Sequence, residues 1–367
     1  MVVLPPSVRI LVLREHIALM TTQDNAEAPT RQPRVVIVVV NWNGLADTLA
    51  CLEALSALAY PNARVVVVDN GSHDGSPEVI EATWPHVILL RNETNLGYTG
   101  GNNVGLRHAQ AQGADYVWLL NNDALVTPNC LDILVRTAEA NPWTGLVAPV
   151  IYDDARRDQI QFAGTWLDEE HSAAAITTGG PRGLPVLVGT ALLVKASVIA
   201  SIGYLDERYF AYCEDWDYSL RALAAGFEVV VEPAASVFHK GAGSLGLDSP
   251  IREHYMVRNR YILWRSHLKG WPRRRYPARY LAWVLLRALW SATEGRKQLV
   301  PTVFDAAWDA LRGRTGPLRR DPRMPWPLRS LFSLFLSWHP YFWAMLLRGE
   351  FRRIAVDAIR RPVRRLQ

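Results

Sequence analysis

Acidic residues follow two apolar stretches of the sequence, at positions where a carboxylate would meet a ligand. Asp123 closes the sequence NND directly after YVWLL, and Asp69 follows RVVVV in the same way. A carboxylate at Asp123 is suited to hold Mg²⁺ or Mn²⁺, because these ions take oxygen ligands and are often shared with substrate phosphates. A carboxylate at Asp69 could accept hydrogen bonds from a nucleobase N–H or a ribose hydroxyl. Taken singly, both acids also fit a turn or a helix cap, where Asp and Asn are common.

The densest group of acids is the sequence EDWD at residues 214–217, which follows the aromatic sequence YFAY and opens a predicted helix. Acids in the first turn of a helix are favoured by the helix dipole, and this is the structural explanation for them. Three acids beside aromatic side chains in one turn exceed what capping needs, so we predict a functional role. The same dipole is expected to lower the pKa of a carboxylate here, which would keep a general base ionised.

His239 and a group of glycines are candidates for contact with phosphates. His239 lies in the sequence FHKGAGS, before a glycine-rich loop whose backbone N–H groups could surround a phosphate. It could ligate a metal or contact a diphosphate with Lys240 beside it, although a lone histidine is often structural. The glycines of NLGYTGGNNVGL would permit close approach of the backbone to a ligand. These glycines do not have GxGxxG spacing, and the sequence has no GxxxxGK loop, so neither NAD nor ATP binding is predicted.

Alternating strands and helices are predicted to position these residues. Apolar stretches at 34–40, 64–68, 86–90 and 116–120 have the character of buried strands, and each is followed by a helical pattern. This alternation is typical of a parallel, doubly wound α/β sheet, in which ligands bind outside the carboxyl ends of the strands. The NWN, DNGS, NLGYTGGNN and NND motifs all fall at those ends. The second half has strand candidates at 145–151, 186–194 and 227–232, and a helix across 214–225.

Charge divides the chain into two unlike parts. Residues 251–367 contain 25 Lys and Arg against 7 Asp and Glu, and they contain eight of the 14 tryptophans. Basic segments of this kind bind nucleic acid or anionic membrane, and tryptophan favours the lipid headgroup layer. We therefore favour a membrane surface, with a solvated basic helix face as the alternative. We predict a flexible tail over 1–33 (Met20 being a candidate start), a catalytic domain over 34–245, and a basic helical region over 246–367.

Two apolar stretches of the basic region, at 278–290 and 331–347, bear on how the chain would meet a membrane. The second has only 17 residues and includes Ser, His and Pro, so it is at the short limit for a spanning helix. We predict amphipathic helices that lie in the interface, with a spanning segment as the alternative. No convincing signal peptide is present, because charged residues interrupt the apolar stretch near the N-terminus. The predicted location is cytoplasmic, at the inner face of the cell membrane.

Seven motifs occur in a characteristic order along the chain: VVIVVVNWNG, VVVVDNGSHDGS, NLGYTGGNNVGL, YVWLLNNDALV, VGTALLVKASVIASIGYLDERYF, YCEDWDYSLR and FHKGAGS. In this order they resemble the family 2 glycosyltransferases, especially the rhamnosyltransferase-like branch, which builds bacterial cell-surface glycans. The resemblance covers about residues 34–268. It implies a GT-A fold with a mixed, mainly parallel sheet flanked by helices. It also implies an inverting, metal-dependent enzyme of cell wall or polysaccharide biosynthesis.

The resemblance also assigns roles to individual residues. Asp215 matches the catalytic base of the Glu-Asp motif, and Asn121 and Asp123 fall on the Asp-x-Asp position, where Mg²⁺ or Mn²⁺ bridges the donor diphosphate. Asn121 replaces the first acid of that motif, which removes one carboxylate from the metal site. His239 matches a histidine of the donor phosphate or metal site. The remaining donor-binding candidates are Asn41, Asn43, Asp69, Asn95, Gly97, Asn103 and Asn122. The acceptor-binding candidates are Gly189, Thr190, Tyr212, Glu214 and Trp216.

The implied partners are a nucleotide-sugar donor, with dTDP-rhamnose as the guess from the subfamily, and a glycan or polyprenyl-linked acceptor. Two other functions remain open from the residues alone. A sugar-nucleotide nucleotidyltransferase would use a similar sheet, but NWNG lacks the basic residues of a triphosphate loop. A nucleic-acid-binding protein would use the basic tail, but it would leave the acidic first half unexplained, and no nucleic acid is expected. All assignments depend on the distant acids converging at one edge of the sheet.

Overall fold

The computed structural model describes residues 31–168, 173–176, 184–241 and 249–318, with the single positions 325 and 327. The strands are β1 Val35–Asn41, β2 Ala63–Asp69, β3 Ile88–Arg91, β4 Tyr116–Asn121, β5 Ala124–Val126, β6 Thr144–Asp153, β7 Ile160–Phe162, β8 Thr165–Asp168, β9 Ala173–Ile176, β10 Leu184–Val186, β11 Ala191–Lys195 and β12 Glu228–His239. The helices are α1 Leu45–Ser56, α2 Ser76–Thr83, α3 Gly97–Ala111, α4 Cys130–Glu139, α5 Ala196–Ile202, α6 Glu214–Ala224, α7 Pro250–His267, α8 Gly270–Thr293 and α9 Val300–Leu311, with a 3₁₀ turn at Lys297–Leu299.

Within the described residues, nine strands form one mixed sheet in the order β3-β2-β1-β4-β11-β6-β12-β5, and β7 pairs with β6. The first four strands of that order are parallel, β11 runs antiparallel to its two neighbours, and β6 and β12 are parallel. The predicted mixed, mainly parallel sheet is therefore confirmed. A smaller antiparallel sheet contains β10, β8 and β9.

The parallel strands β1 and β4 are buried on both faces, as their unbroken apolar sequences predict, whereas β3 at the edge of the sheet is partly exposed. One face packs against α1 and α4 through residues such as Ile37 and Leu134, and the other packs against α3, α5 and α6 through residues such as Val38 and Tyr218. Alternate residues of β1 point into opposite cores because strand side chains have a period of two. Only the strand ends are left to carry polar side chains, and this places the polar motifs at the edge of the sheet.

One predicted strand is wrong. The stretch 186–194 is divided into β10 and β11, which belong to different sheets, with a turn between them. The apolar sequence VLVGTALLV has no local feature that ends the strand except Gly189. A Cβ atom at Gly189 would lie 2.7 Å from the hydroxyl of Tyr98, so the chain passes too close to α3 for a larger residue. The turn brings the backbone of Gly189 to the candidate site.

The C-terminal helices share a hydrophobic core with the sheet domain. Buried residues of α7, α8 and α9 pack together with Tyr209, Cys213 and Leu220, which come from the loop before α6 and from α6 itself. The predicted domain boundary at residue 245 therefore lies just before α7, which packs with α6, the helix that begins with the sequence EDWD. The boundary itself stays a prediction.

Among the described residues, no helix is both long enough and apolar enough to cross a bilayer. The stretch 331–347, for which an interfacial or spanning helix was considered, lies outside the described residues, as does the tail 1–30. The apolar stretch at 278–290 lies within α8, which runs without interruption through Pro277.

Candidate active site

The carboxyl ends of β1 and β2 lie level and hold a buried polar pair. The register aligns Asn41 with Asp69, and both side chains are buried. The amide nitrogen of Asn41 donates to Asp69 Oδ1 at 2.8 Å, and its oxygen accepts from the Thr48 hydroxyl at 2.8 Å. Asp69 Oδ2 accepts from the backbone N–H of Ser72 at 3.0 Å, which closes the DNGS turn. The paired amide orients the carboxylate at the sheet edge.

Asn43 lies in the turn after β1, in a left-handed conformation with φ 48°. Its amide oxygen accepts from the backbone N–H of His73 at 2.7 Å, and its own N–H donates to the Ser72 hydroxyl at 2.9 Å. Asparagine tolerates positive φ better than most residues. Asn43 therefore joins the loop after β1 to the loop after β2.

A second amide cluster joins β2 to the start of α3. The side chain of buried Asn70 donates to Asn95 Oδ1 at 3.1 Å and to the carbonyl of Gly97 at 3.0 Å. Asn95 in turn accepts from the backbone N–H of Gly97 at 2.7 Å. Gly97 has φ 76°, and a Cβ atom there would lie 2.4 Å from the carbonyl oxygen of Phe210. The glycine thus permits contact between α3 and the loop before α6.

Asn103, a predicted donor-binding residue, lies deeper in α3 than the sheet edge. Its amide forms a reciprocal pair with the backbone of Leu205, at 2.9 and 3.0 Å, and also donates to Glu207 at 2.9 Å. The side chain is buried and committed to these partners. The structure therefore does not bring Asn103 together with the other candidates, and its donor role stays a prediction.

Asp123 and His239 form the candidate metal corner. His239 ends β12, and its Nε2 lies 3.1 Å from Asp123 Oδ1. Its Nδ1 lies 2.9 Å from Gln161 Oε1, while the amide nitrogen of Gln161 donates to the His239 carbonyl at 2.8 Å. Nδ1 thus donates to Gln161, and Nε2 faces Asp123. When both ring nitrogens carry a proton, Nε2 donates to the carboxylate; when the ring is neutral, Nε2 is free to ligate an ion. Gln161 has no signal in the sequence, because β7 is far from both partners along the chain.

The charge of the metal corner favours an ionised carboxylate. Burial acts to raise the pKa of Asp123, but the hydrogen bond and charge of His239, with Lys240, hold that pKa below its ordinary value. Asn121 Nδ2 lies 3.4 Å from His239 Nε2, and Asn121 Oδ1 is buried without a hydrogen-bond partner. Asn122 faces the first loop and donates to the Thr48 hydroxyl at 3.0 Å.

This donor set fits a divalent ion that is shared with a ligand. One carboxylate oxygen, one imidazole nitrogen and an unpartnered amide oxygen suit Mg²⁺ or Mn²⁺ when further oxygens come from phosphate and water. Among the described residues, no cluster of three or more His, Cys, Asp or Glu could hold a metal by itself. Part of this shortage of acidic ligands is due to Asn121, which stands where an acid would supply a carboxylate. A bound diphosphate would have to complete the coordination sphere.

Asp215 lies in the first turn of α6, half-buried, with its carboxylate fixed by two backbone groups. Gly189 N–H donates to Oδ2 at 2.9 Å, and Trp216 N–H donates to Oδ1 at 2.8 Å. Burial raises the pKa of Asp215 to about 6 despite those two hydrogen bonds. The expectation that the helix dipole would lower this pKa is therefore wrong, because desolvation outweighs it. A value near neutrality suits a general base.

The neighbours of Asp215 include several predicted acceptor-site residues. Glu214 is buried with Oε2 unpartnered, and its pKa is raised well above the ordinary value by burial and by the charge of Asp215. The Tyr98 hydroxyl donates to the carbonyl of Gly189 at 2.6 Å. Tyr212 is half-buried beneath the guanidinium of Arg252, which lies 5.7 Å from its ring centre.

Two further candidates have mainly structural surroundings. Trp216 packs against the core formed by the C-terminal helices. Thr190 is buried, and its carbonyl accepts from the backbone N–H of Asn121 at 2.9 Å. That bond joins the Asp215 side of the site to the metal corner. Asp217, the last acid of EDWD, pairs with Arg221 and His267 at 2.8 Å and faces away from this cluster into the helical core.

A continuous set of hydrogen bonds places the predicted acids at one edge of the sheet. Asp69 is joined through Asn41 and Thr48 to Asn122, and Asp123 is the next residue. The turn at Gly189 then links Asn121 to Asp215. Thr48, Asn70, Tyr98 and Gln161 contribute to the site and were not selected from the sequence. Asn70 and Tyr98 lie inside quoted motifs, which was the signal available for them.

Comparisons with known proteins agree with this arrangement. Residues 36–203 match the family model described as Glycosyl transferase family 2. The N-acetylglucosaminyl-diphospho-decaprenol L-rhamnosyltransferase of Mycobacterium tuberculosis is 30% identical over 250 residues, which cover 60% of this chain and 80% of that protein. The dTDP-rhamnosyl transferase RfbF of Shigella flexneri is 25% identical over 244 residues, covering 64% of this chain and 80% of that protein.

A solved structure shows the same fold over most of the chain. The mannosyltransferase PcManGT from Pyrobaculum calidifontis, in complex with GDP-Man and Mn²⁺, superposes with a TM-score of 0.51 at 19% identity. The match covers 89% of this chain and 88% of that one. At this level of identity the likeness concerns the fold alone, and the predicted GT-A architecture is confirmed.

Proposed function

Because the chain belongs to the family 2 glycosyltransferases, we propose that it transfers rhamnose, with inversion, from a nucleotide diphosphate donor to a lipid-linked glycan acceptor. The chain is a glycosyltransferase of rhamnosyltransferase-like type. We propose the identity of its donor, its acceptor, its catalytic base and its metal site. The proposal depends on one observation: Asp69, Asp123 and Asp215 are joined by hydrogen bonds at the same edge of the sheet. A nucleotidyltransferase or a nucleic-acid-binding protein would not need Asp215 fixed by the backbone of Gly189.

The nucleotide is proposed to bind along the ends of β1 and β2. Asn41 and Ser72 hold the Asp69 carboxylate in one orientation, and its unused lone pairs are proposed to accept from a base N–H or a ribose hydroxyl. Asn43, Asn95 and Gly97 form the loops on either side. The similar dTDP-rhamnosyl transferase of Shigella flexneri supports dTDP as the nucleotide.

Asp215 is proposed to act as the general base. The acceptor hydroxyl oxygen would attack the anomeric carbon, and the bond from that carbon to the diphosphate oxygen would break. Asp215 would take the hydroxyl proton, and the nucleoside diphosphate would leave with the bonding electrons. The two backbone N–H groups hold the carboxylate in one orientation, so that it can meet the acceptor oxygen. Partial burial keeps its basicity matched to neutral pH.

Asp123 and His239 are proposed to hold Mg²⁺ or Mn²⁺, with the unpartnered oxygen of Asn121 beside them. The ion would neutralise charge that develops on the leaving diphosphate. Gln161 fixes the His239 ring, and Lys240 pairs with Asp47 at the entrance. The Mn²⁺ and nucleotide sugar bound by the mannosyltransferase of the same fold support this assignment.

The acceptor is proposed to enter past Tyr98, Tyr212 and Glu214. Burial favours the neutral form of Glu214, and a protonated carboxyl can donate a hydrogen bond to a sugar hydroxyl. Basic α8 is proposed to hold the enzyme at the cytoplasmic face of an anionic membrane, where such an acceptor is found. Trp271 is 60% exposed, and Arg273, Arg274 and Arg275 beside it are also exposed.

The proposal can be tested with the full chain, Mn²⁺ and a panel of nucleotide sugars. We expect dTDP-rhamnose to raise the melting temperature more than other donors do, and only when the divalent ion is present. Rhamnose should then be transferred to a short-chain N-acetylglucosaminyl-diphospholipid, with an inverted anomeric configuration in the product. Absence of stabilisation by every nucleotide sugar, or transfer that Asp215→Asn leaves intact, would contradict the proposal.

A further inference from the structure

The loop between residues 209 and 213, which we call the strained loop, departs from ordinary backbone geometry. Phe210, Tyr212 and Cys213 have φ values of 66°, 70° and 73°, in the left-handed region that favours glycine. Aromatic residues rarely adopt this conformation, and such strain persists only where the surrounding structure enforces it. The strained loop leads directly into α6, so Asp215 lies two residues beyond its end.

Asn259 of α7 supplies the enforcement. Its side-chain nitrogen donates to the carbonyl oxygens of Tyr209, Ala211 and Tyr212 at 3.0, 2.7 and 2.8 Å. Asn259 is fully buried, and its amide oxygen accepts from Arg258 at 2.9 Å. Three carbonyls therefore converge on one amide group. An apolar residue at this position would leave the carbonyls of Ala211 and Tyr212 without this donor, whereas the Tyr209 carbonyl would keep the guanidinium of Arg258 at 2.9 Å.

Another carbonyl of the strained loop, that of Phe210, points to the donor side. The oxygen of Phe210 accepts from the backbone N–H of Thr99 at 3.2 Å and from its hydroxyl at 3.3 Å. Thr99 lies in the first turn of α3, two residues after Gly97. The strained loop thus connects three parts: α7, the proposed donor loop, and the helix that carries Asp215.

We infer that Asn259 is a positioning residue, which holds the strained loop and through it sets Asp215 against Gly189 for sugar transfer. This inference rests on the proposed role of Asp215. Asn259 lies outside the matched family segment, residues 36–203, and in the region predicted to serve membrane association. Its position assigns α7 to the catalytic machinery rather than to docking alone.

Tyr280→Phe is a matched control for the loss of Asn259. The Tyr280 hydroxyl is buried and donates to the Val257 carbonyl of the same helix α7 at 2.9 Å, but it does not contact the strained loop. Asn259→Ala removes all three bonds to the loop. Asn259→Ser keeps one donor and gives an intermediate test if the alanine variant does not fold.

Hydrogen exchange of the full-length protein, followed by mass spectrometry, tests whether Asn259 holds the strained loop. This experiment needs no substrate. We expect Asn259→Ala and Asn259→Ser to speed exchange over residues 209–217 and near Thr99, whereas Tyr280→Phe should leave these segments as in the wild type. Equal exchange in the asparagine variants and the control would overturn the inference. Because no donor is needed, this arm is independent of whether rhamnose is the sugar.

Turnover with dTDP-rhamnose tests the catalytic half. A displacement of about 1 Å at a reacting group can cost about 100-fold in rate, so we expect kcat to fall about that far in Asn259→Ala. The acid limb of the pH profile should also move below its wild-type position as Asp215 becomes more solvated. The other titratable groups that face Asp215 are Glu214, Tyr98 and Cys213. They are the same residues in the wild type and in Asn259→Ala, so the substitution does not alter them. A variant with the control's kcat and an unmoved acid limb would overturn the positioning role, whereas an inactive wild type would overturn only the donor assignment.

Discussion

Replacing Asp215 by asparagine is expected to abolish transfer and to stabilise the folded protein at neutral pH. The carboxyl has an ordinary pKa of 3.8, and burial raises it to about 6 in the folded state. A carboxyl whose pKa is raised by folding binds its proton more tightly when folded. It therefore opposes folding once the pH exceeds the unfolded value, and this cost reaches its full size above the folded value.

The magnitude follows from that difference in pKa. The interval from 3.8 to about 6 corresponds to about 3 kcal/mol of unfolding free energy at pH 8. The amide oxygen of asparagine accepts from only one of the two N–H groups that the carboxylate binds. The lost hydrogen bond lowers the free energy of unfolding by about 1 kcal/mol. A net gain of about 2 kcal/mol remains, or about 4–8 °C in melting temperature for a domain of this size.

The assay is thermal unfolding of wild type and Asp215→Asn from pH 4 to pH 8, with turnover measured in parallel. The stability gain should be largest at pH 8 and should shrink as the pH falls below about 6, because the folded wild-type carboxyl then takes up its proton. Little of the gain should remain at pH 4, where the unfolded carboxyl is also partly protonated. The wild-type rate should fall with an acid limb near pH 6 rather than pH 4. A gain that does not depend on pH, or an asparagine variant less stable at pH 8, would refute the desolvation argument.

Three further outcomes are expected. Asp123→Ala should remove the Mn²⁺-dependent part of donor binding in calorimetric titration. Gln161→Leu should weaken Mn²⁺-dependent donor binding about 10- to 100-fold, because the His239 ring is no longer held in place. Unchanged titrations for both variants would count against the metal corner. Asp217→Asn should destabilise the protein by about 3 kcal/mol or more in urea, because it breaks a buried ion pair. Its cost should lessen as the pH falls through the lowered pKa of Asp217, and a harmless substitution would argue against the pairing. Changing the arginines at 273–275 to glutamine should weaken binding to anionic vesicles about 100-fold at low salt, while neutral vesicles serve as the control; unaltered sedimentation would exclude α8 as the docking surface.

The candidate site could be predicted from the sequence to the extent that it depends on strand ends. β1, β2 and β4 are marked by unbroken apolar sequences, and their carboxyl ends are marked by Asn41, Asp69 and Asn121. Parallel strands bring those ends to one edge whatever the loops between them do. The convergence of Asp69 and Asp123 was therefore contained in the local pattern, and the structure confirms it.

Contacts between distant segments were beyond the sequence. The break in the predicted strand 186–194 depends on the approach of Tyr98, and the orientation of His239 depends on Gln161. Neither partner is near in sequence, and neither residue type is unusual.

The sequence by itself determined the parallel strands β1, β2 and β4 and the polar residues at their carboxyl ends, because side-chain periodicity and turn chemistry act over a few residues. Tertiary structure alone decided the basicity of Asp215, since desolvation is set by everything that packs around a group. It also decided that Asn259 of a C-terminal helix would hold the strained loop before α6. Three carbonyls can share the two N–H donors of one amide only after the chain has folded around it.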